Sequence, residues 1–346
     1  MRMPGYMKTT SPSYLFSKLD KGLSLFSAQI GLTSRCNENC VHCLVCKEPK
    51  SELHTGEIKS VISELKKLNC LTLIFTGGEA MLREDFFDIL DFAKGKGFAI
   101  RILSNGTLID ETNVKYLKVI NPLNMQISLY GATAGMHDSI TRLKGSFERT
   151  VRAIDNLKKN RIRFNIACMV MRNNFRELPL IREMAKRRRW KVVMDFLIRP
   201  NESGSKVPTG YRVKDGQMRE AYSLGLLPYM DRNKRLRHYS KKRLYATRMG
   251  RGHIFISSDG KVYPGINMRV EVGDLRRDSL SDIWDKSEKL NWLRGLSLSD
   301  FECSGCKYLL NCCWDPGLAL AEHGDLFKRP KEFCRFTKLI AGKTWQ

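Results

Sequence analysis

The chain of 346 residues contains no run of eighteen apolar residues, which excludes a helix long and greasy enough to cross a bilayer. Its opening stretch, MRMPGYMKTTSPSYLFSKLDKG, lacks the continuous apolar core of a secretory signal, so a cytoplasmic location is expected. No internal repeat or low-complexity tract is present. Acidic residues are scarce beside basic ones, 36 against 60, leaving a formal charge of +24. Such an excess calls for something anionic: nucleic acid, an acidic peptide, or a carboxylate-rich small molecule. Cysteine is missing from the middle of the chain, with none between Cys168 and Cys303.

The eleven cysteines that are present fall at the two ends. Cys36, Cys40, Cys43, Cys46, Cys70 and Cys168 precede the gap, and five more lie from Cys303 to Cys334. In a reducing compartment they point to metal ligands or reactive thiols rather than to disulfides. Two separate cysteine sites are the economical reading.

Between residues 27 and 199 strand-like and helix-like segments alternate. Apolar or β-branched runs at 25–33, 71–76, 98–104, 124–130, 163–171 and 191–198 predict six strands. Ile58, Val61, Ile62, Leu65 and Leu68 recur at helical spacing over 56–69, and similar stripes cover 83–95, 147–159 and 176–186. Six successive βα units imply a parallel sheet with its crossover helices outside, and sites at the carboxyl ends of the strands. PNESGSKVPTGYRVKDGQ, from Pro200, then reads as loop. RNKRLRHYSKKRLYATRMGRG (232–252) is strongly basic, with Tyr239 and Tyr245 interleaved. It suits nucleic acid, acidic peptide residues or tetrapyrrole propionates, and equally a solvated surface. HIFISSDGKVYPG (253–265) predicts a hairpin turning at Asp259-Gly260, and LSDIWDKS a short helix. KRRRW (186–190) places cations at a helix end, where they suit the macrodipole.

Cys36, Cys40 and Cys43, spaced x3 then x2, follow the first strand. Three thiolates on one tight loop suit a cubane iron–sulfur cluster with one iron left without a protein ligand. A zinc site completed by Cys46 or His42 is the alternative that spacing leaves open. FTGGEAML ends the second strand, LSNGT the third and QISLYG the fourth, followed by HDSITRLKGSF.

Together these motifs resemble the radical SAM superfamily over residues 25–200. The resemblance implies a partial (β/α)6 barrel of α/β class and a [4Fe-4S] cluster held by Cys36, Cys40 and Cys43. S-adenosyl-L-methionine would bind the open iron, and its reductive cleavage would give a 5′-deoxyadenosyl radical. Gly77 and Gly78 would let backbone approach the cofactor, with Glu79 accepting from its amino group. Ser104, Asn105 and Ser128 would face its ribose and methionyl parts, and Arg142 its carboxylate. His42 would lie near the adenine. Relatives often carry Asp where Tyr130 stands, which leaves that residue's role open.

Cys303-x2-Cys306-x5-Cys312, with Cys334 beyond, resembles the SPASM or twitch extension of these enzymes. Gly265, Pro316 and TRMGRGH occupy slots where the full pattern has cysteine. The losses all belong to one cluster, so one auxiliary [4Fe-4S] cluster on Cys303, Cys306, Cys312 and Cys334 is implied, with a zinc ribbon as the alternative. Cys313, Cys70 and Cys168 read as core residues and Cys46 as incidental.

The resulting organisation is an N-terminal extension (1–24), a radical SAM core (25–200), a basic linker or substrate region (201–252) and a small cysteine-anchored C-terminal domain (253–346). The implied activity is hydrogen abstraction from a substrate, first a ribosomally made peptide that is modified or crosslinked. The alternatives are radical modification of haem-type tetrapyrrole side chains or, in a different class, an iron–sulfur or zinc protein that binds nucleic acid. Expected partners are an anionic peptide or small molecule and a reducing flavodoxin or ferredoxin, with neither nucleic acid nor membrane insertion.

Overall fold

The computed structural model describes residues 23–46, 51–226, 250–309, 312 and 314–344. Cys313, nearly all of the N-terminal extension and most of the basic stretch, including Tyr239 and Tyr245, lie outside them.

All six expected strands form: β1 (Ser27–Gly31), β2 (Thr72–Thr76), β3 (Ala99–Ser104), β4 (Asn124–Ser128), β5 (Phe164–Met169) and β6 (Val192–Asp195). They pair in parallel in sequence order, each βα crossover leading to the neighbouring strand. The helices between them are α1 (Thr55–Lys67), α2 (Phe86–Gly95), α3 (Asn113–Ile120), α4 (Ala134–Thr141), α5 (Ser146–Lys159) and α6 (Leu178–Arg188). The stripe read in α1 is the face that packs inward, with Ile58, Val61, Ile62 and Leu65 all buried. His54 starts that helix with a capping box: its ring accepts from the Glu57 N–H and the Glu57 carboxylate accepts from the His54 N–H.

The barrel does not close. β7 (His253–Ile256) adds in parallel to the free side of β1, and β8 (Lys261–Tyr263) and β9 (Gly273–Asp274) continue antiparallel. The nine strands run in the order β6-β5-β4-β3-β2-β1-β7-β8-β9. β1 is therefore an interior strand, and all five of its residues are buried. The expected hairpin turn is present, with Gly260 at φ +87°. Its hairpin starts the C-terminal region inside the core sheet, covering what would otherwise be an exposed edge.

The segment after β6, read as loop, also contains α7 (Asp215–Ser223). Beyond the hairpin come α8 (Leu280–Lys286), α9 (Glu288–Gly295), α10 (Pro316–His323) and α11 (Lys331–Thr344). Phe336 on α11 packs in one apolar cluster with Cys168, Phe175, Ile181, Met194 and Met218, so the C-terminal helix is docked onto the β5–β6 side of the barrel.

Candidate active site at the strand ends

The loop carrying Cys36, Cys40 and Cys43 leaves the carboxyl end of β1 and is fixed from three sides. Glu52 accepts from the Thr33 hydroxyl at 2.7 Å and the Ser34 N–H at 2.8 Å. Arg83, nearly buried, donates to the carbonyls of Leu32 and Leu53, forks onto Asp85 and lies 3.8 Å from Glu52. From the far side, the Asn39 and Val41 N–H groups donate to the carbonyls of Thr141 and Ile140, at the end of α4.

Within the loop the Glu38 N–H donates to Cys36 Sγ at 3.4 Å, and the Cys40 thiol donates to Glu38 Oε2 at 3.2 Å. Burial pushes the Cys40 thiol far above its usual range, with Glu38, Cys43 and Cys36 adding to the shift. The three expected ligands therefore act on one another. The Cys46 N–H donates to Glu202 at 2.9 Å.

The two glycines at the exit of β2 are needed for contact with the chain's own backbone. A Cβ on Gly77 would overlap the Thr33 carbonyl, and one on Gly78 the Arg35 carbonyl. The close approach that these glycines make within the chain is to the cysteine loop. It is closed by hydrogen bonds from the Gly78 N–H to Thr33 O (2.8 Å) and from the Glu79 N–H to Arg35 O (2.9 Å).

Glu79 is fully buried. Its carboxylate accepts from the Ser104 hydroxyl at 3.0 and 3.1 Å, the Asn105 N–H at 2.7 Å and the Met81 N–H at 3.2 Å. Burial raises its pKa, and these donors oppose the rise. Asn105 Nδ2 donates to Asn37 Oδ1 at 2.8 Å and reaches Cys36 Sγ at 3.9 Å. Glu79, Ser104 and Asn105 thus tie the exits of β2 and β3 to the cysteine loop.

Across the loop, Tyr130 is buried between two histidines. Its ring is stacked on His137 at 5.7 Å and meets His42 edge-on at 4.6 Å. The Tyr130 N–H donates to His137 Nδ1 at 3.1 Å, and Asn174 holds its carbonyl. Burial raises the phenol's pKa, with Cys40 and Glu38 next in effect, while a hydrogen bond with Ser128 opposes them. His42 Nδ1 is buried with no hydrogen-bond partner. Arg142 is exposed in a left-handed conformation (φ 56°), one residue beyond the carbonyls that hold the cysteine loop.

At the C-terminal end, Cys303, Cys306, Cys312 and Cys334 line one small cavity together with Trp314, Arg329 and Lys338. Burial pushes the Cys303 thiol up to about 12, and Cys334, Cys312 and Cys306 each contribute. Pro316 is the first residue of α10, where its missing N–H costs nothing. Cys70 and Cys168 are buried in the two large apolar clusters, as read from sequence.

The donor sets suit the groups they would hold. Buried thiols with raised pKa values need cationic metal to become thiolates, and each thiolate of a cubane meets a different iron. Among the described residues no three His, Cys, Asp or Glu side chains converge as tightly as a single ion requires. The unpartnered His42 nitrogen is a polar atom that a ligand beside the loop would satisfy. Sequence reasoning missed Arg83, Glu52 and Glu38. Only Glu38 left a trace, as a carboxylate between two cysteines of the motif.

A model described as the radical SAM superfamily matches residues 30–185, and an iron–sulfur cluster-binding domain model, SPASM, matches 248–307. The AdoMet-dependent heme synthase of Methanosarcina barkeri is 29% identical over 322 residues, covering 85% of this chain and 92% of that protein. Mycofactocin maturase MftC of Mycolicibacterium smegmatis is 32% identical over 194 residues, covering 55% and 49%. Among solved structures, native anSMEcpe with bound AdoMet superposes with a TM-score of 0.71 at 19% identity, covering 92% of this chain and 96% of that one. Streptococcus suis SuiB bound to precursor peptide SuiA gives 0.70 at 13% identity, covering 96% and 84%.

Proposed function

Because this chain belongs to the radical SAM superfamily and carries a SPASM iron–sulfur domain, we propose that it abstracts hydrogen from a side chain of a haem-type tetrapyrrole. The observation that carries the substrate reading is the reach of the likeness. The heme synthase match extends through both domains, whereas the MftC match spans about half of each chain. The cationic excess of the chain favours a substrate with several carboxylates. Peptide modification is the second reading, favoured by the fold shared with SuiB over 96% of this chain.

When bound, the [4Fe-4S] cluster and S-adenosylmethionine supply reductive cleavage to a 5′-deoxyadenosyl radical. The chain's own residues hold and shield that chemistry. Cys36, Cys40 and Cys43 would ligate three irons and leave the fourth for the cofactor. Glu79 positions Ser104 and Asn105, and through them the loop, while the backbone of Gly77 and Gly78 would line the methionyl part. His42 would use its buried Nδ1 toward the cofactor's adenine side. Ser128 and Arg142 would meet the ribose and the carboxylate. Cys303, Cys306, Cys312 and Cys334 would hold the auxiliary cluster, and a flavodoxin- or ferredoxin-type protein would supply electrons.

The test is anaerobic reconstitution, where two four-iron clusters give about eight irons per chain. Formation of 5′-deoxyadenosine should vanish when Cys36, Cys40 and Cys43 are replaced by Ala. Stimulation of that product by a propionate-bearing porphyrin supports the substrate reading; stimulation by peptide alone overturns it. Stoichiometric zinc with little iron would sink the cluster assignment.

A further inference from the structure

A cavity of about 440 Å³ opens between the barrel and the C-terminal region. Its floor includes Leu44, the residue after Cys43, so it borders the cysteine loop. One wall is the segment after β6, with Arg199, Glu202 and Lys206; another carries Arg269, beyond β8; the third is α10. It therefore stands where strand ends, first cysteine loop and auxiliary region meet.

The cations of this cavity are held but incompletely used. Arg199 Nη2 bonds Asp315 at 2.9 Å, yet its Nη1 is buried with no hydrogen-bond partner. Arg269 Nη2 pairs with Glu202 at 2.8 Å, and its guanidinium lies over the rings of Phe255 and Tyr263 at 4.7 and 5.1 Å. Its Nε is likewise buried without a partner. The acids nearby are committed: Asp315 to Arg199 and the Gly317 N–H, Glu322 to Arg212 and the Lys331 N–H, Glu202 to Arg269 and the Cys46 N–H. Lys206 stands exposed at the rim. A guanidinium N–H left unpaired is costly, and Arg199 and Arg269, whose side chains keep 14% and 20% of their surface exposed, are the guanidinium donors that this cavity offers a carboxylate.

We propose that this cavity binds a carboxylate of the substrate, with Arg199 and Arg269 as its donors and Lys206 at its entrance. The identification of the pocket as a substrate site rests on the radical SAM reading. The carboxylate chemistry rests on the two arginines and holds for a tetrapyrrole or a peptide alike. Glu202 adds a link: its backbone N–H donates to Leu44 O at 2.9 Å while its side chain holds both Arg269 and the Cys46 N–H. Occupancy of the pocket is thereby tied to the position of the cysteine loop.

Equilibrium binding to the two-cluster holoenzyme, under anaerobic conditions without reductant, tests the proposal. The probes are an iron porphyrin with free propionates, its methyl ester, and a short glutamate-rich peptide. The free acid should bind about ten-fold or more tightly than the ester. Arg269→Lys, which keeps a cation for Glu202 but removes the planar guanidinium fork, should weaken the acid about five- to ten-fold and leave the ester alone. Arg199→Gln should do the same. Lys206→Gln, at an exposed position, supplies the reading if either arginine variant fails to retain its iron. Equal binding of acid and ester, untouched by these substitutions, overturns the carboxylate site while leaving the tetrapyrrole reading intact. Peptide binding that depends on the arginines, with no porphyrin binding, overturns the tetrapyrrole reading and keeps the site.

Discussion

At the residue scale, Gly77 and Gly78 show what two glycines at a strand exit are needed for within the chain itself. They lie against the carbonyls of Thr33 and Arg35, so Gly78→Ala must push the β2 exit away from the cysteine loop. We expect a loss of about 1–3 kcal/mol in stability and a sharp fall in iron retention, measured by thermal unfolding and iron assay. Gly95 is the contrast. It ends α2, is exposed and has nothing within 4 Å of a built Cβ. Gly95→Ala should raise stability by about 0.5–1 kcal/mol, since only backbone entropy changes. The sequence pattern marked one pair of glycines as special but could not say what each would touch.

At the element scale, the cysteine loop depends on supports that no motif announces. Arg83 caps the 3₁₀ turn Ala80–Leu82 that closes GGEAML, and joins the exit of β1, the segment before α1 and the start of α2 through four carbonyl or carboxylate partners. Arg83→Met leaves Asp85 and Glu52 without their buried cation. It should cost about 3–5 kcal/mol, visible as a lowered unfolding midpoint. A second support titrates. His137, on α4, is buried, and burial lowers its pKa to about 4 from an ordinary 6.5. The unfolded chain therefore takes up this proton first as pH falls. The stabilisation is complete above about pH 6.5 and shrinks toward pH 4, by about 3 kcal/mol in all. The stability of His137→Asn, which keeps an acceptor for the Tyr130 N–H, should fall less steeply over that range. A slope equal to that of the native chain would refute this role for His137.

At the scale of the whole molecule, the two cysteine sites are assembled by one continuous sheet and one docked helix. β7 pairs with β1, so the C-terminal hairpin extends the strand from which the first cysteine loop departs. α11 brings Cys334 to the other three cysteines of its set, and two neighbours of that cysteine fasten the helix to the barrel. Glu332, buried, pairs with Arg212 at 3.4 Å and with Arg335 at 2.6 Å. Arg335 in turn pairs with Asp215 and donates to Val213 O. Glu332→Gln should loosen α11 and release the auxiliary cluster first, taking iron from about eight toward about four per chain while the Cys36 site keeps its own. Equal loss from both sites would contradict this order.

Strand alternation, helix stripes and cysteine spacing lie within short windows, so the six βα units, the hairpin at Asp259-Gly260 and the grouping of the cysteines at two places were legible in the sequence by itself. Each is fixed by local periodicity, by the few residues a turn will accept or by spacing along the chain. Other features come from residues far apart in the chain, and only the tertiary structure decided them. The free edge of β1 is covered by a strand more than two hundred residues later. Glu79 is turned onto Ser104 and Asn105. Arg199 and Arg269 come to face one cavity beside Leu44. Such pairings depend on which groups are buried together and on which of their hydrogen bonds remain to be made, and neither property has a period in the sequence.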